Sequence, residues 1–165
     1  MSLLAISKDK VKVGDHAPNF TLSSQAGKNV ELAQFLGKKP VVLYFYPKDE
    51  TPGCTTEACT FRDQSEAFKA AGAEVIGISS DSIASHQQFA TKYSLPFTLL
   101  SDGEGKVRAL YGVPSTFGLM PGRVTYVIDR AGIVRYIFSS QWRAAAHVSE
   151  ALQELQKINA ATSHE

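Results

Sequence analysis

At 165 residues, with 44% apolar and 20% charged residues, the chain fits a single domain over 1–165 whose core needs neither disulfides nor a structural metal. It is unlike a disordered or fibrous sequence. Its formal net charge is +1, with basic and acidic residues interspersed. That leaves no electrostatic footprint for nucleic acid or an anionic membrane, and the expected partners are small molecules or soluble proteins. No apolar run approaches the roughly 20 residues that span a bilayer. The opening stretch MSLLAISKDKVKVGD lacks the pattern of a secretory signal, so a cytoplasmic location is expected, and a plastid enzyme without its transit peptide would read the same way.

Between Asn19 and Gly37, Phe20 and Leu22 face Val30 and Leu32 across the polar segment Ser23 to Asn29, which predicts an N-terminal β-hairpin that caps the core rather than forming it. Val41 to Tyr46 is an unbroken β-branched and aromatic run ended by Pro47, the pattern of a central strand buried on both faces. A helix is predicted from Pro52 to Ala71, with small or apolar residues at 54, 58, 61, 65, 68 and 71 and with Thr51 as its cap. Gly72 stops it. Glu74 to Ser79 reads as a second strand, and a helix capped by Asp81 or Ser82 follows to about Tyr93. A short strand at Phe97 to Leu100 and a short helix at Val107 to Tyr111 come next. Two antiparallel strands, Val124 to Ile128 and Ile133 to Phe138, turn at Asp129 to Gly132. Val148, Ala151, Leu152, Leu155 and Ile158 give a closing helix one apolar face, and 162–165 are expected to fray. The order predicts an α/β protein of thioredoxin-like fold, a central mixed β-sheet flanked by helices.

The chain has two cysteines, Cys54 and Cys59. Disulfide-built domains are smaller and richer in cysteine, so in a reducing compartment the pair reads as chemistry, with burial as an inert apolar residue the plain alternative for each. A free cysteine with a pKa of ~8.5 is only about 3% thiolate at pH 7, and the thiolate is the reactive form. A first-turn position such as that of Cys54 favours an anion through unpaired N–H groups and the helix dipole. Ionisation is not enough: lowering a cysteine to ~6 raises its thiolate fraction roughly thirty-fold, but falling nucleophilicity leaves a net gain of about two-fold. A catalytic thiolate therefore also needs fixed donors that hold its substrate in line and stabilise the departing group.

The segment Pro47-Lys48-Asp49-Glu50-Thr51-Pro52-Gly53-Cys54 resembles the peroxiredoxin active-site pattern. Its continuation Thr55-Thr56-Glu57-Ala58-Cys59-Thr60-Phe61-Arg62-Asp63 is similar to the Q-type subgroup, also called bacterioferritin comigratory proteins. EVIGISSDS, LPFTLLSD and FGLMPGRVTYVID extend the likeness over nearly the whole chain. The resemblance implies that Cys54 is the peroxidatic nucleophile, that Thr51 hydrogen-bonds the peroxide and that Pro47 shields the thiolate. It implies further that Arg123 stabilises thiolate and oxyanion, and that Cys59 resolves the sulfenic acid as an intramolecular disulfide. Spacing alone does not bring Arg123 to Cys54. The resemblance also implies peroxide substrates, a thioredoxin-like reductant, a monomer and no cofactor.

Residues i and i+5 of a continuous helix are about 8.6 Å apart at Cα, whereas a disulfide needs ~4.4 to 6.8 Å. Pairing Cys54 with Cys59 would therefore require the start of the helix to unwind, eased by Gly53 and the polar run Thr55 to Glu57. Taken alone, Thr51 could be only a cap, Pro47 only a strand terminator and Arg123 a solvated arginine. His16, His86, His147 and His164 are scattered, with no acidic residue at ligand spacing; they read as surface or packing residues, and no metal is expected. Ser101 to Gly105 reads as a turn. The rivals to a peroxidase are a thiol-disulfide oxidoreductase acting on proteins and a non-enzymatic redox sensor.

Overall fold

Val41–Phe45 (β3) is buried at all five positions, as its unbroken apolar run demands, and it is an interior strand of the sheet, next to the middle one. This computed structural model describes residues 10–116 and 120–163. Phe117 to Leu119 of the motif quoted above, the opening nine residues, and His164 and Glu165 of the expected frayed end lie outside the described residues.

In chain order the elements before the cysteines are β1 (Thr21–Ser24), β2 (Asn29–Glu31), a 3-10 turn at Leu32–Phe35, and β3. The cysteines fall in α1 (Pro52–Asp63), followed by α2 (Ser65–Ala70), β4 (Glu74–Ser79), α3 (Ile83–Tyr93), β5 (Thr98–Ser101) and α4 (Lys106–Tyr111). The chain closes with β6 (Ser115–Thr116), β7 (Met120–Pro121), β8 (Val124–Ile128), β9 (Val134–Ser139) and α5 (Ala144–Ser163). Seven strands form one sheet in the order β2-β1-β5-β4-β3-β8-β9. β3 runs parallel to β4 and antiparallel to β8, so Leu43 lies between Ile76 and Tyr126. The sheet is mixed and flanked by helices, as predicted, and β6 and β7 make a separate short pair. No helix among the described residues is long and apolar enough to cross a membrane.

Alternation along β3 divides the core. Val41, Leu43 and Phe45 join Phe20, Leu32, Val107, Tyr111 and Tyr126 on one face. Val42 and Tyr44 join Cys54, Ala58, Phe61, Phe89, Val148 and Leu155 on the other. Thus α4 covers one face, while α1, α3 and α5 cover the face that holds the nucleophilic candidate.

Three local expectations change. The hairpin does more than cap the core: β1 pairs with β5, and the Gln25 side chain accepts from Leu99 N within β5 and donates to Phe97 O just before it, so backbone groups that the ladder leaves unpaired are satisfied. The helix predicted through Ala71 breaks at Gln64 (φ −100°, ψ 12°), although Phe61 before the break and Phe68 after it are both buried in the same apolar layer. Thr51 holds the extended cap conformation but makes no side-chain capping bond. Ser82, rather than Asp81, caps α3 by accepting from Ser85 N.

Candidate active site

The chain leaves β3 through Pro47, turns at Glu50 in left-handed backbone (φ 67°) and enters α1 with proline as its first residue. Cys54 is the third residue of α1, where backbone N–H groups have no intrahelical acceptor and favour an anion. It is 1% exposed and a free thiol. The Thr51 hydroxyl donates to Lys48 O at 2.8 Å instead of capping the helix. With its proton engaged, the oxygen keeps lone pairs for an incoming O–H donor. Pro47 is half-buried.

Arg123 begins β8's approach to the sheet and is 5% exposed. A Cβ on Gly53 would lie 2.9 Å from Arg123 Nη2, so the guanidinium occupies the space that any other residue at position 53 would fill. Arg123 Nη1 donates to Glu57 Oε1 at 2.5 Å and Nε donates to Gln141 O at 3.1 Å. Burial works against its charge, but Glu57 and then Cys54 outweigh burial and hold the guanidinium above its ordinary range. The sulfur thus lies in an apolar layer, yet beside a fixed cation.

Glu57 sits one helical turn beyond Cys54, fully buried. Burial pushes its carboxyl up to about 8, against the pull of Arg123. Its Oε2 has no partner, with His147 Nδ1 3.8 Å away. His147 is pushed down to about 4, chiefly by burial; neutral at pH 7, it donates from Nε2 to Ser140 O and accepts from the Thr125 hydroxyl at Nδ1, both at 2.8 Å.

Among the described residues, the buried side-chain atoms without a hydrogen bond are Glu57 Oε2, Tyr44 Oη and Arg108 Nε. Tyr44 and Arg108 both feel the charge of Cys54, and Glu57 shares its helix face. Polar capacity without a partner is therefore concentrated around this one sulfur. By contrast, a groove of about 560 Å³ lined by Pro40, Asp129, Arg135 and Glu154 does not include it.

A second buried cluster joins the loop to α3. Asp49 accepts from the Tyr46 hydroxyl (2.6 Å) and the Ser85 hydroxyl (2.8 Å) and lies 2.7 Å from His86 Nδ1. Asp81 accepts from Asp49 N and the Ser79 hydroxyl. His86 and His147 are thus buried network members, and acidic residues far off in sequence do approach His86; local spacing could not show this. Ligand atoms of Asp49, Asp81 and His86 lie within 4.8 Å of one another. They fit each other better than they fit an ion, since the contacting oxygens already accept hydrogen bonds and the His86–Asp49 contact is at hydrogen-bond length.

Cys59 is half-buried on the same unbroken helix, five residues beyond Cys54, and α1 does not bring the two thiols into bonding geometry.

Comparison with known proteins supplies the missing context. The AhpC/TSA family matches residues 13–137. A chloroplastic peroxiredoxin Q of Triticum aestivum is 59% identical over 150 residues, covering 90% of this chain and 69% of its own. This chain is a peroxiredoxin of the AhpC/TSA family. Among solved structures, a peroxidoxin of Mycobacterium tuberculosis superposes with a TM-score of 0.83 at 39% identity, covering 90% of this chain and 98% of that one. Peroxiredoxin Q of Xanthomonas campestris does so with a TM-score of 0.79 at 31% identity, covering 89% and 96%. As a peroxiredoxin the protein is a peroxidase and an oxidoreductase.

Of the expected site residues, this peroxiredoxin gathers Thr51, Cys54 and Arg123 around the start of α1 and leaves Cys59 apart. Sequence reasoning passed over Glu57, Tyr44 and Arg108. For Glu57 a signal existed: a carboxylate three residues after Cys54, bracketed by the apolar seam of 54, 58 and 61, must turn toward the core.

Proposed function

We propose that this peroxidase reduces hydrogen peroxide and organic hydroperoxides through a Cys54 sulfenic acid and an intramolecular Cys54–Cys59 disulfide, which a thioredoxin-like protein re-reduces. The observation that carries the reading is the sulfur at the mouth of α1 with the Arg123 fork fitted against Gly53. The thiolate attacks the nearer peroxide oxygen as the O–O bond breaks. Sulfur is oxidised, the peroxide is reduced, and the departing alkoxide or hydroxide takes up a proton to leave as alcohol or water. Thr51 Oγ1 accepts from the peroxide O–H, the Arg123 guanidinium stabilises the developing charge, and Pro47 shields the sulfur from water. Cys59 then displaces water from the sulfenic acid, forming the S–S bond.

This last step requires α1 to open, because an intact helix keeps the two cysteines too far apart. The chemistry needs no cofactor, uses both cysteines of one chain, and so suits a monomeric single domain. A reducing compartment, cytoplasm or chloroplast, fits a dithiol that must be recycled.

Stopped-flow oxidation of the reduced protein by hydrogen peroxide tests the reading. Fast thiol loss is expected in wild type, none in Cys54→Ser, and arrest at sulfenic acid in Cys59→Ser. Slow wild-type oxidation would sink it in favour of a protein oxidoreductase or sensor. Amide exchange should show residues 54–60 less protected in the disulfide form; equal protection would refute the opening.

A further inference from the structure

Arg108 belongs to α4, on the face of the sheet opposite α1. Its helical neighbours Val107 and Tyr111 pack with Leu43 and Phe45, whereas Cys54 lies in the other apolar layer. Its 9%-exposed side chain reaches the end of β3, with Cζ 5.9 Å from the Phe45 ring centroid. There Nη2 donates to Tyr46 O at 3.2 Å and Nη1 donates to Gly122 O at 3.4 Å. These carbonyls belong to the residues immediately before Pro47 and Arg123. One planar fork therefore bridges the two segments that carry the site, which are remote in sequence.

The charge on this fork is poorly matched. Arg123 has the Glu57 carboxyl, but Arg108 donates only to carbonyls, and its Nε has no partner. The carboxylate that acts on it most strongly, Asp102, spends its oxygens on the amides of Val107 and Arg108 itself. Burial pushes the guanidinium's pKa down, opposed by Asp102, Asp81, Cys54 and Tyr126 in that order. The Cys54 thiolate is the one of these groups whose charge chemistry removes.

We propose that Arg108 is a positioning residue of the peroxidase site: it clamps the strand ends bearing Pro47 and Arg123, and the Cys54 thiolate helps balance its buried charge, so the clamp is firm in the reduced protein and loosens on oxidation. The inference rests on Cys54 being the peroxide-reacting thiolate. Sulfenic acid or disulfide at position 54 is uncharged, and a buried cation that loses a counter-charge is costly until water reaches it. Oxidation then favours the opening of α1 that disulfide formation requires.

The test uses the full chain in a Cys59→Ser background, so that thiolate absorbance in the ultraviolet reports on Cys54 alone. Arg108→Met, which keeps bulk but neither charge nor donors, should lower the thiolate fraction at pH 7 several-fold and the rate constant for hydrogen peroxide about tenfold. Arg108→Lys should restore the thiolate fraction while leaving the rate about tenfold low, because a point charge cannot bridge two carbonyls as a planar fork does. With Cys59 restored, Arg108→Met should narrow the difference in melting temperature between reduced and disulfide forms. A wild-type thiolate fraction and rate in Arg108→Met overturn the proposal. Should that variant not fold, a wild-type rate in Arg108→Lys overturns the clamp. A slow wild-type reaction with peroxide refutes the role of Cys54 instead, and the thiolate measurement, made without peroxide, still judges Arg108.

Discussion

Two buried polar clusters hold the loop and helix around Cys54, and they differ in completeness. In the Asp49–His86–Asp81 cluster the contacting carboxylate oxygens and both imidazole nitrogens have hydrogen-bond partners, the Leu100 carbonyl included. In the Arg123–Glu57–His147 cluster Glu57 Oε2 has none, and Tyr44 and Arg108 add further orphan atoms nearby. Evolution tolerates few such atoms because each costs about 1–3 kcal/mol. The closed cluster acts as an anchor, and the open one is where charge can change.

The sharpest way to break this distinction is Arg123→Met. Loss of the cation should cut the peroxide rate constant by about 10²- to 10³-fold, while stability falls by about 1–3 kcal/mol as Glu57 loses its donor. Adding Glu57→Gln should recover part of the stability and none of the rate, measured by denaturant melts and stopped flow. Asp49→Asn is the converse. It should cost about 1–3 kcal/mol in reduced and oxidised protein alike, with little change in rate. A rate loss rivalling that of Arg123→Met at unchanged stability would erase the contrast.

The smallest effect is a pH slope. Glu57, raised from 4.5 to about 8, makes the folded chain bind more protons than the unfolded chain across that range, so its contribution to stability is lost as pH rises toward 8. His147, lowered from 6.5 to about 4, makes the unfolded chain bind more, so its contribution grows between those values. The two oppose each other below about pH 6.5, and above it only Glu57 acts. Stability should therefore fall between about pH 6.5 and 8, by at most about 1.4 kcal/mol per pH unit. Glu57→Gln should flatten that limb and uncover the His147 rise below it; an unchanged limb would show that Glu57 does not titrate there.

Most of the fold was legible because it rests on short-range signals. The runs at 41–45, 74–79 and 124–128 are so apolar that they must be buried on both faces, and the Asp129–Gly132 turn has its carboxylate accepting from Ala131 N and Ile133 N, with Gly132 at φ 86°. The break at Gln64 was missed because an apolar seam continues through both helices, so periodicity reads across the interruption. The site was legible where it is local, at Thr51, Gly53 and Cys54. Its partners 37 and 66 residues away, His86 for Asp49 and Arg123 for Glu57, have no local signature, since side chains meet there only because β8 and α3 flank the same end of β3.

The fit of Arg123 into the place of a side chain at Gly53 has a kinetic corollary. The first turn of α1 and the guanidinium are registered to each other, so unwinding that turn parts sulfur from cation. In the proposed cycle, an unwound sulfenic acid would have lost the surroundings that speed attack on peroxide. The hazard of a second encounter, which would carry the sulfur on to irreversible sulfinic acid, would then be confined to the interval before the turn lets go.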